Sequence, residues 1–295
     1  MWKSHSWGAA LSSVLLLIVT GCNQSPPPPP KPKGPSAASQ AWLKTANAFI
    51  EDYMQTQPSF AARAGRHEFD GQLPDLSAHG IKRQIAWLHD QRKQISAVDE
   101  KPLEPRERFD RAYLLAVLDK DLFWIEKTQF PYSNPGWYLD QIDPDMYLSR
   151  NYAPLDVRMK AYVKYARAIP KMAKDIKENL KSPLPKTYVE LGITQFGGLA
   201  EFYSKNVAAV FASVSNPDLQ KQLTDADTAA AAAMNGLKDY LVAERKNAND
   251  KYVFGPELFA QMVKQTEQVE IPVEQIEAAG RADLERNTAA LKTEC

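Results

Sequence analysis

Residues 156–180, DVRMKAYVKYARAIPKMAKDIKENL, decide the fold class of this chain. Apolar side chains recur there at steps of three or four residues, which places them on one face of an α-helix. That face consists of Met159, Tyr162, Ala166, Ile169, Ala173 and Ile176. Asp156 is a candidate N-cap, and Pro170 should kink or split the helix because proline lacks a backbone N–H. The stretch therefore predicts a long amphipathic helix.

The same periodicity continues toward the N-terminus. Pro58 should close a first helix, Ser77 should cap a second, and Pro105 suits the first turn of a third. The predicted inward faces are Trp42, Ala46, Phe49, Ile50, Tyr53 and Met54; then Ile81, Ile85, Leu88 and Ile95; then Phe109, Tyr113, Ala116 and Phe123.

Helical periodicity also follows residue 180. Pro185 should start a helix that Gly197-Gly198 interrupts, and Asn216-Pro217 should start a long one. Gly255-Pro256 and Pro272 precede two more. The inward candidates are Leu219, Leu223, Ala230, Met234, Leu237, Leu241, Leu258, Met262, Ile276, Leu284 and Leu291. Tyr252-Val253-Phe254 is the best candidate for a short strand. The sequence thus predicts an all-α array of about eight to ten helices.

Residues 130–154 differ from the rest, because six aromatic residues and four prolines share this short segment. So many prolines favour an irregular connection with one or two short helical turns. Its aromatic residues could line a binding cleft, since Trp and Tyr offer large contact area with a polar tip. The candidates are Trp137, Tyr138, Tyr147 and Tyr152. The alternative, which we favour, is a small satellite core under a long loop.

Residues 1–21 have the features of a secretory signal peptide: Lys3, an apolar run over residues 8–19, and small residues before Cys22. The run is shorter than the roughly 20 residues of a membrane span. Val19-Thr20-Gly21-Cys22 resembles the lipobox of bacterial lipoproteins, which implies acylation of Cys22. An ordinary signal peptide with a chance cysteine is the alternative.

Residues 22–40 follow as a proline-rich linker. Polyproline II geometry gives about 3.1 Å per residue, so some 15 residues reach roughly 45 Å. Such a tether would hold a helical domain, residues 41–295, clear of the bilayer; a ligand for a proline-recognition module is the alternative.

The charge balance excludes one class of partner. Loss of Lys3 with the signal peptide leaves 35 basic against 36 acidic residues, a net charge near −1, which gives no basis for nucleic-acid binding. Cys22 and Cys295 are the two cysteines, so acylation of Cys22 would leave one thiol and no internal disulfide.

No catalytic or metal motif is recognisable. His67, His79 and His89 are scattered, and no H-E-x-x-H, G-x-S-x-G or phosphate-binding loop occurs. The acidic group Asp140, Asp143 and Asp145 is better explained by turns and caps around Pro144 than by metal binding. We therefore name no catalytic and no metal residue in this chain.

A series of short motifs nevertheless resembles one family. They are residues 62–70 (ARAGRHEFD), 73–77 (LPDLS), 134–135 (NP), 151–154 (NYAP), 169–170 (IP), 179–180 (NL), 252–259 (YVFGPELF) and 276–280 (IEAAG). Together, over about residues 42–292, they resemble the N-terminal half of the bacterial domain-of-unknown-function family 885. The resemblance implies an exported lipoprotein similar to helical zinc carboxypeptidases. It also implies an H-E-x-x-x-H-H-type metal motif in a second half, beyond residue 295.

Three interpretations remain open at this stage. The chain is the truncated N-terminal lobe of a zinc-peptidase-like lipoprotein, catalytically silent alone; or a tethered binding protein for a peptide or envelope glycan; or a structural envelope lipoprotein. Zinc is expected only with the second half. The expected partners are a membrane through acyl groups on Cys22, a peptide substrate, and a second copy through an exposed apolar face. The expected location is the outer membrane, facing the periplasm.

Overall fold

The computed structural model describes residues 34–294, so the predicted signal peptide, Cys22 and most of the linker lie outside the described residues. The α-helices are α1 (Ala37–Thr56), α2 (Pro58–Arg63), α3 (Ala78–Ser96), α4 (Pro105–Leu122), α5 (Phe130–Ser133), α6 (Asp145–Ser149), α7 (Leu155–Asn179), α8 (Lys186–Lys205), α9 (Val207–Val210), α10 (Pro217–Glu244), α11 (Gly255–Glu267) and α12 (Val273–Glu294). Eight of these have 13 residues or more. The all-α prediction is confirmed.

Between residues 34 and 294 the β-structure amounts to one isolated bridge that pairs Pro185 with Asn249. Residues 252–254, the predicted strand, are irregular. Short 3-10 turns lie at His67–Phe69, Pro135–Gln141 and Arg245–Asn247, and a π-helical turn, Phe123–Lys127, continues α4.

Helices α7, α8 and α10 form the larger of two apolar cores. All six residues predicted for the inward face of α7 are buried, as are all six predicted for α10. Asn216 caps α10 as predicted, since its side chain accepts a hydrogen bond from the Leu219 N–H at 3.0 Å. Long apolar stripes thus pack three helices together.

Of the two outcomes predicted for Pro170, a split of the helix is wrong, because α7 runs unbroken from Leu155 to Asn179. The buried stripe extends on both sides of the proline, from Met159 to Ile176, so packing holds both halves in one helix. The predicted cap is also displaced: Pro154 is the N-cap, and Asp156 lies in the first turn.

The predicted interruption of α8 at Gly197-Gly198 is wrong as well, since α8 is continuous from Lys186 to Lys205. Buried Phe196 and Ala200 flank the two glycines and keep that part of the helix on the core.

Helices α1, α3 and α4 enclose the second core, which includes Trp42, Phe49, Ile81, Leu88, Ile95 and Leu118. Ser77 caps α3 by accepting a hydrogen bond from Gly80 N–H at 3.1 Å, and Pro105 is the first residue of α4; both were predicted. Helix α1 begins earlier than the predicted domain boundary at residue 41, because Ser36 caps it.

The predicted inward face of α4 is partly wrong. Phe109 is 68% exposed and Tyr113 is 60% exposed, and the two rings stack on each other at the surface. Leu118 and Leu122 face the core instead. Apolar side chains lie on more than one face of α4, so the sequence alone permits either face to be buried. Contact with α3 buries the face that carries Leu118 and Leu122.

Helices α11 and α12 contribute no fully buried residue in this part of the chain. Leu258, Met262 and Ile276 are half-buried, whereas Leu284 and Leu291 are 68% and 64% exposed. The inward placement predicted for Leu284 and Leu291 is therefore wrong, because no other described element covers that face of α12.

Candidate functional site

A cleft of about 490 Å³ opens where α1, α3, α4 and the 130–141 segment meet. A volume of this order is typical of small-molecule sites. Its wall combines aromatic rings with polar groups, among them Tyr53, Asp121, Trp124, Phe130, Trp137 and Asp140. It is the candidate functional site.

The π-helical turn after α4 shapes one wall of the cleft. Its wider winding is marked by the hydrogen bond from Thr128 N–H to the Phe123 carbonyl at 3.1 Å, which spans five residues. Trp124 and Ile125 lie on this turn and face the cleft. Gln129, directly after it, has a left-handed φ of 56°, unusual for a residue other than glycine. Such local departures from regular geometry are frequent at functional sites.

An aromatic stack supports that wall from behind. The Trp124 ring stacks on Phe130 with centroids 5.4 Å apart, and Phe254 packs against Phe130 at 5.8 Å. Tyr188 on α8 meets the edge of Phe130. Because the rings brace one another, the Trp124 side chain is held in place without a ligand.

Asp121 brings a carboxylate to the same cleft. The Tyr53 hydroxyl on α1 donates a hydrogen bond to Asp121 Oδ2 at 3.0 Å. Burial raises the pKa of the Asp121 carboxyl above its ordinary value, and the bond from Tyr53 and the charge of Lys120 oppose that rise. Burial and the neighbouring Asp121 likewise raise the pKa of the Tyr53 hydroxyl.

Of the four aromatic residues predicted as cleft lining, Trp137 lies in this cleft. Tyr138 is 0% exposed; its hydroxyl donates to the Pro131 carbonyl at 2.6 Å and accepts from Asn179 Nδ2 at 3.1 Å. It belongs to the α7–α8–α10 core and fixes the connection onto α7.

Tyr147 and Tyr152 also lie elsewhere. The Tyr147 hydroxyl is buried and accepts a hydrogen bond from Gly71 N–H at 2.8 Å, and burial raises its pKa to about 12. The Tyr152 hydroxyl donates to Asp70 Oδ2 at 2.9 Å, and its ring stacks on His67 at 4.0 Å. Both tie the connection to the loop after α2, as the satellite-core interpretation implies.

The acidic residues between positions 140 and 145 have different roles in the structure. Asp143 Oδ1 accepts a hydrogen bond from Asp145 N–H at 2.9 Å, which is the turn role predicted for it. Asp140 lines the cleft.

The three histidines of the described residues, His67, His79 and His89, are exposed and separate: His67 contacts Asp70, and His89 contacts Glu126. Among the described residues, no group of three His, Cys, Asp or Glu side chains is arranged to hold a metal ion. None of the helices between residues 34 and 294 is both long and apolar enough to cross a bilayer.

Sequence reasoning missed Tyr53, Asp121 and Trp124 as site residues. Tyr53 was taken as core, and Asp121 lies in a run of charged residues that looks like an ordinary solvated helix face. The segment FWIEK at the end of α4 carries no pattern that predicts a π-turn, so these three residues had no sequence signal as site residues.

The fold and the cleft define a class of protein: an all-α protein with an aromatic, acidic cleft between two helical cores. The chain belongs to the family of bacterial proteins of unknown function DUF885, whose sequence profile matches residues 58–295. This confirms the predicted membership of family 885.

A solved structure from Shewanella oneidensis, described as "a putative lipoprotein of unknown function", has the same fold with a TM-score of 0.71 and 20% sequence identity. The match covers 83% of this chain and 46% of that one, so this chain spans less than half the length of its structural relative. A comparison with curated proteins finds no match.

Proposed function

We infer that this chain is an exported, lipid-anchored lobe of a zinc-peptidase-like protein, and that the lobe binds peptide in the cleft. The cleft is the observation that carries this inference. It is open, it has braced aromatic walls, and it offers amide and carboxylate groups that can pair with a peptide backbone.

The catalytic part is assigned to chain beyond residue 295. The family resemblance implies a metal motif in a second half, and the sequence of this chain contains no H-E-x-x-H. The structural match covers less than half of the Shewanella oneidensis protein, which supports the proposal that this chain is one lobe of a larger fold. Alone, the chain is therefore expected to bind peptide without cleaving it, and zinc would belong to the other half.

The anchor is assigned to Cys22, with residues 22–35 as tether. Cys22 follows Val19-Thr20-Gly21, and the Shewanella oneidensis relative is described as a lipoprotein. Several acyl chains on one cysteine give stable membrane attachment. Asn23 after the cysteine favours the outer membrane, with the lobe in the periplasm.

The test uses the mature chain in mild detergent. A library of fluorescently labelled hexapeptides is titrated, and binding is followed by polarisation; a parallel assay measures cleavage with and without added zinc. Trp137→Ala should weaken binding by about tenfold or more, because it removes a cleft wall. Phe109→Ala removes an exposed aromatic residue that does not line the cleft and is the matched control.

Peptide binding that Trp137→Ala weakens and Phe109→Ala leaves unchanged supports the proposal. Absence of binding to any peptide contradicts the binding role and favours a structural envelope lipoprotein. Cleavage that a chelator abolishes contradicts the assignment of catalysis to a second half.

A further inference from the structure

The Asp121 carboxylate in the cleft makes no ion pair with a described residue, although the charge of Lys120 acts on it. Among the described residues, no Lys, Arg or His nitrogen lies within 4 Å of the Asp121 carboxylate, and Tyr53 supplies its hydrogen bond. A partly buried carboxylate with one neutral donor is incompletely compensated for the water it has lost. Asp140 adds a second negative charge to the cleft.

Among the described residues that line the cleft, Lys120 is the one with a cationic side chain. Its side chain is exposed at the mouth, where the adjacent groove between α1 and α4 also begins. A lysine ammonium on a flexible stem can stay in solvent while the stem covers apolar surface. With Lys120 counted, the lining has one positive and two negative charges, so it is net acidic.

The aromatic walls of the cleft also favour a positively charged ligand. Trp124 and Trp137 both line the cleft, and the face of an indole ring attracts ammonium and guanidinium groups. The stacked Trp124–Phe130 pair keeps one indole fixed, so little side-chain freedom is lost when a cation is bound.

We propose that the cleft selects a positively charged side chain, lysine or arginine, which enters between the two tryptophans and pairs with Asp121. This specificity rests on the proposed peptide-binding function. A neutral sugar could stack on the same rings, but it would leave the Asp121 charge uncompensated, so the observations favour a cationic peptide over a glycan.

The experiment compares short blocked alanine peptides that carry one central lysine, arginine, norleucine or glutamate. Norleucine is the matched probe because it keeps the aliphatic stem of lysine without the ammonium. Calorimetry on the mature chain should give a dissociation constant about tenfold lower for lysine than for norleucine, and weaker binding for glutamate. Asp121→Asn should remove the difference between the lysine and norleucine dissociation constants.

Asp119→Asn is the control on the same helix: Asp119 pairs with Arg92 rather than lining the cleft, so the difference should persist. The ratio of the lysine and norleucine dissociation constants in wild type requires no substitution. It therefore tests the charge specificity even if Asp121→Asn fails to fold. Equal affinities for lysine and norleucine overturn the charge specificity while peptide binding stands. If no peptide binds but an oligosaccharide does, both the specificity and the proposed peptide function are wrong.

Discussion

The hydroxyl of Tyr162 on α7 donates a hydrogen bond to Asp227 Oδ1 on α10 at 2.5 Å, inside the larger apolar core. Asp227 is 6% exposed. Burial raises the pKa of its carboxyl to about 6, against an ordinary value of 3.8, although the bond from Tyr162 works in the opposite direction. A core contact between two helices therefore titrates in a mildly acidic range.

The first prediction concerns pH. Because the folded pKa lies above the unfolded one, the folded state binds the proton more tightly, so this group's contribution to stability is present below about pH 4 and is lost as pH rises through about 6. Asp227→Asn should remove this loss of stability at higher pH. Between pH 4 and 7, the free energy of unfolding of wild type should fall by about 1–3 kcal/mol relative to the variant, measured with urea.

Asp225→Asn, an exposed position on the same helix, should follow the wild-type pH dependence. The same pH dependence in Asp227→Asn and wild type would show that Asp227 does not titrate in this range.

A second prediction distinguishes two glycines of α8. A Cβ at Gly192 would lie 2.7 Å from Leu241 Cδ1 and 3.0 Å from Pro135 Cβ, whereas a Cβ at Gly198 meets nothing within 4 Å. Gly192→Ala should destabilise the protein by about 1–3 kcal/mol through overpacking. Gly198→Ala should stabilise it by about 0.5–1 kcal/mol, because alanine favours the helix. Urea midpoints that move in the same direction for both would refute this difference.

The third prediction concerns the anchor. The mature protein should incorporate labelled palmitate and partition into the detergent phase, and Cys22→Ser should abolish both. Cys295→Ser is the control, since Cys295 is the other cysteine of the chain, and it should label normally. Labelling that persists in Cys22→Ser would refute the lipobox interpretation.

A fourth prediction concerns self-association. Leu284 and Leu291 leave an apolar stripe on α12 exposed, and exposed stripes of this kind associate in water. Wild type should show concentration-dependent dimers in sedimentation velocity, and Leu284→Glu with Leu291→Glu should shift the protein to monomer without a change in urea midpoint.

Val242→Glu is the control on an exposed position of α10 and should leave the association unchanged. A monomeric wild type at high concentration would contradict the role assigned to this face.

Several helix starts followed from local sequence signals. Ser77, Pro105 and Asn216 each mark a helix start in the structure, because a cap or first-turn proline acts on its own next few residues. The apolar stripes of α7 and α10 could also be predicted from the sequence, since a long helix with one apolar face buries that face.

Tertiary structure decided the rest. Whether Pro170 breaks α7, and whether Phe109 or Leu118 faces inward, depends on the helices packed alongside, which the local pattern does not specify. The cleft depends on a pairing of Tyr53 with Asp121 across 68 residues of sequence. The sequence by itself thus determined an array of amphipathic helices, while non-local packing determined which faces are covered and which side chains meet in the cleft, because burial is a property of two surfaces and not of one.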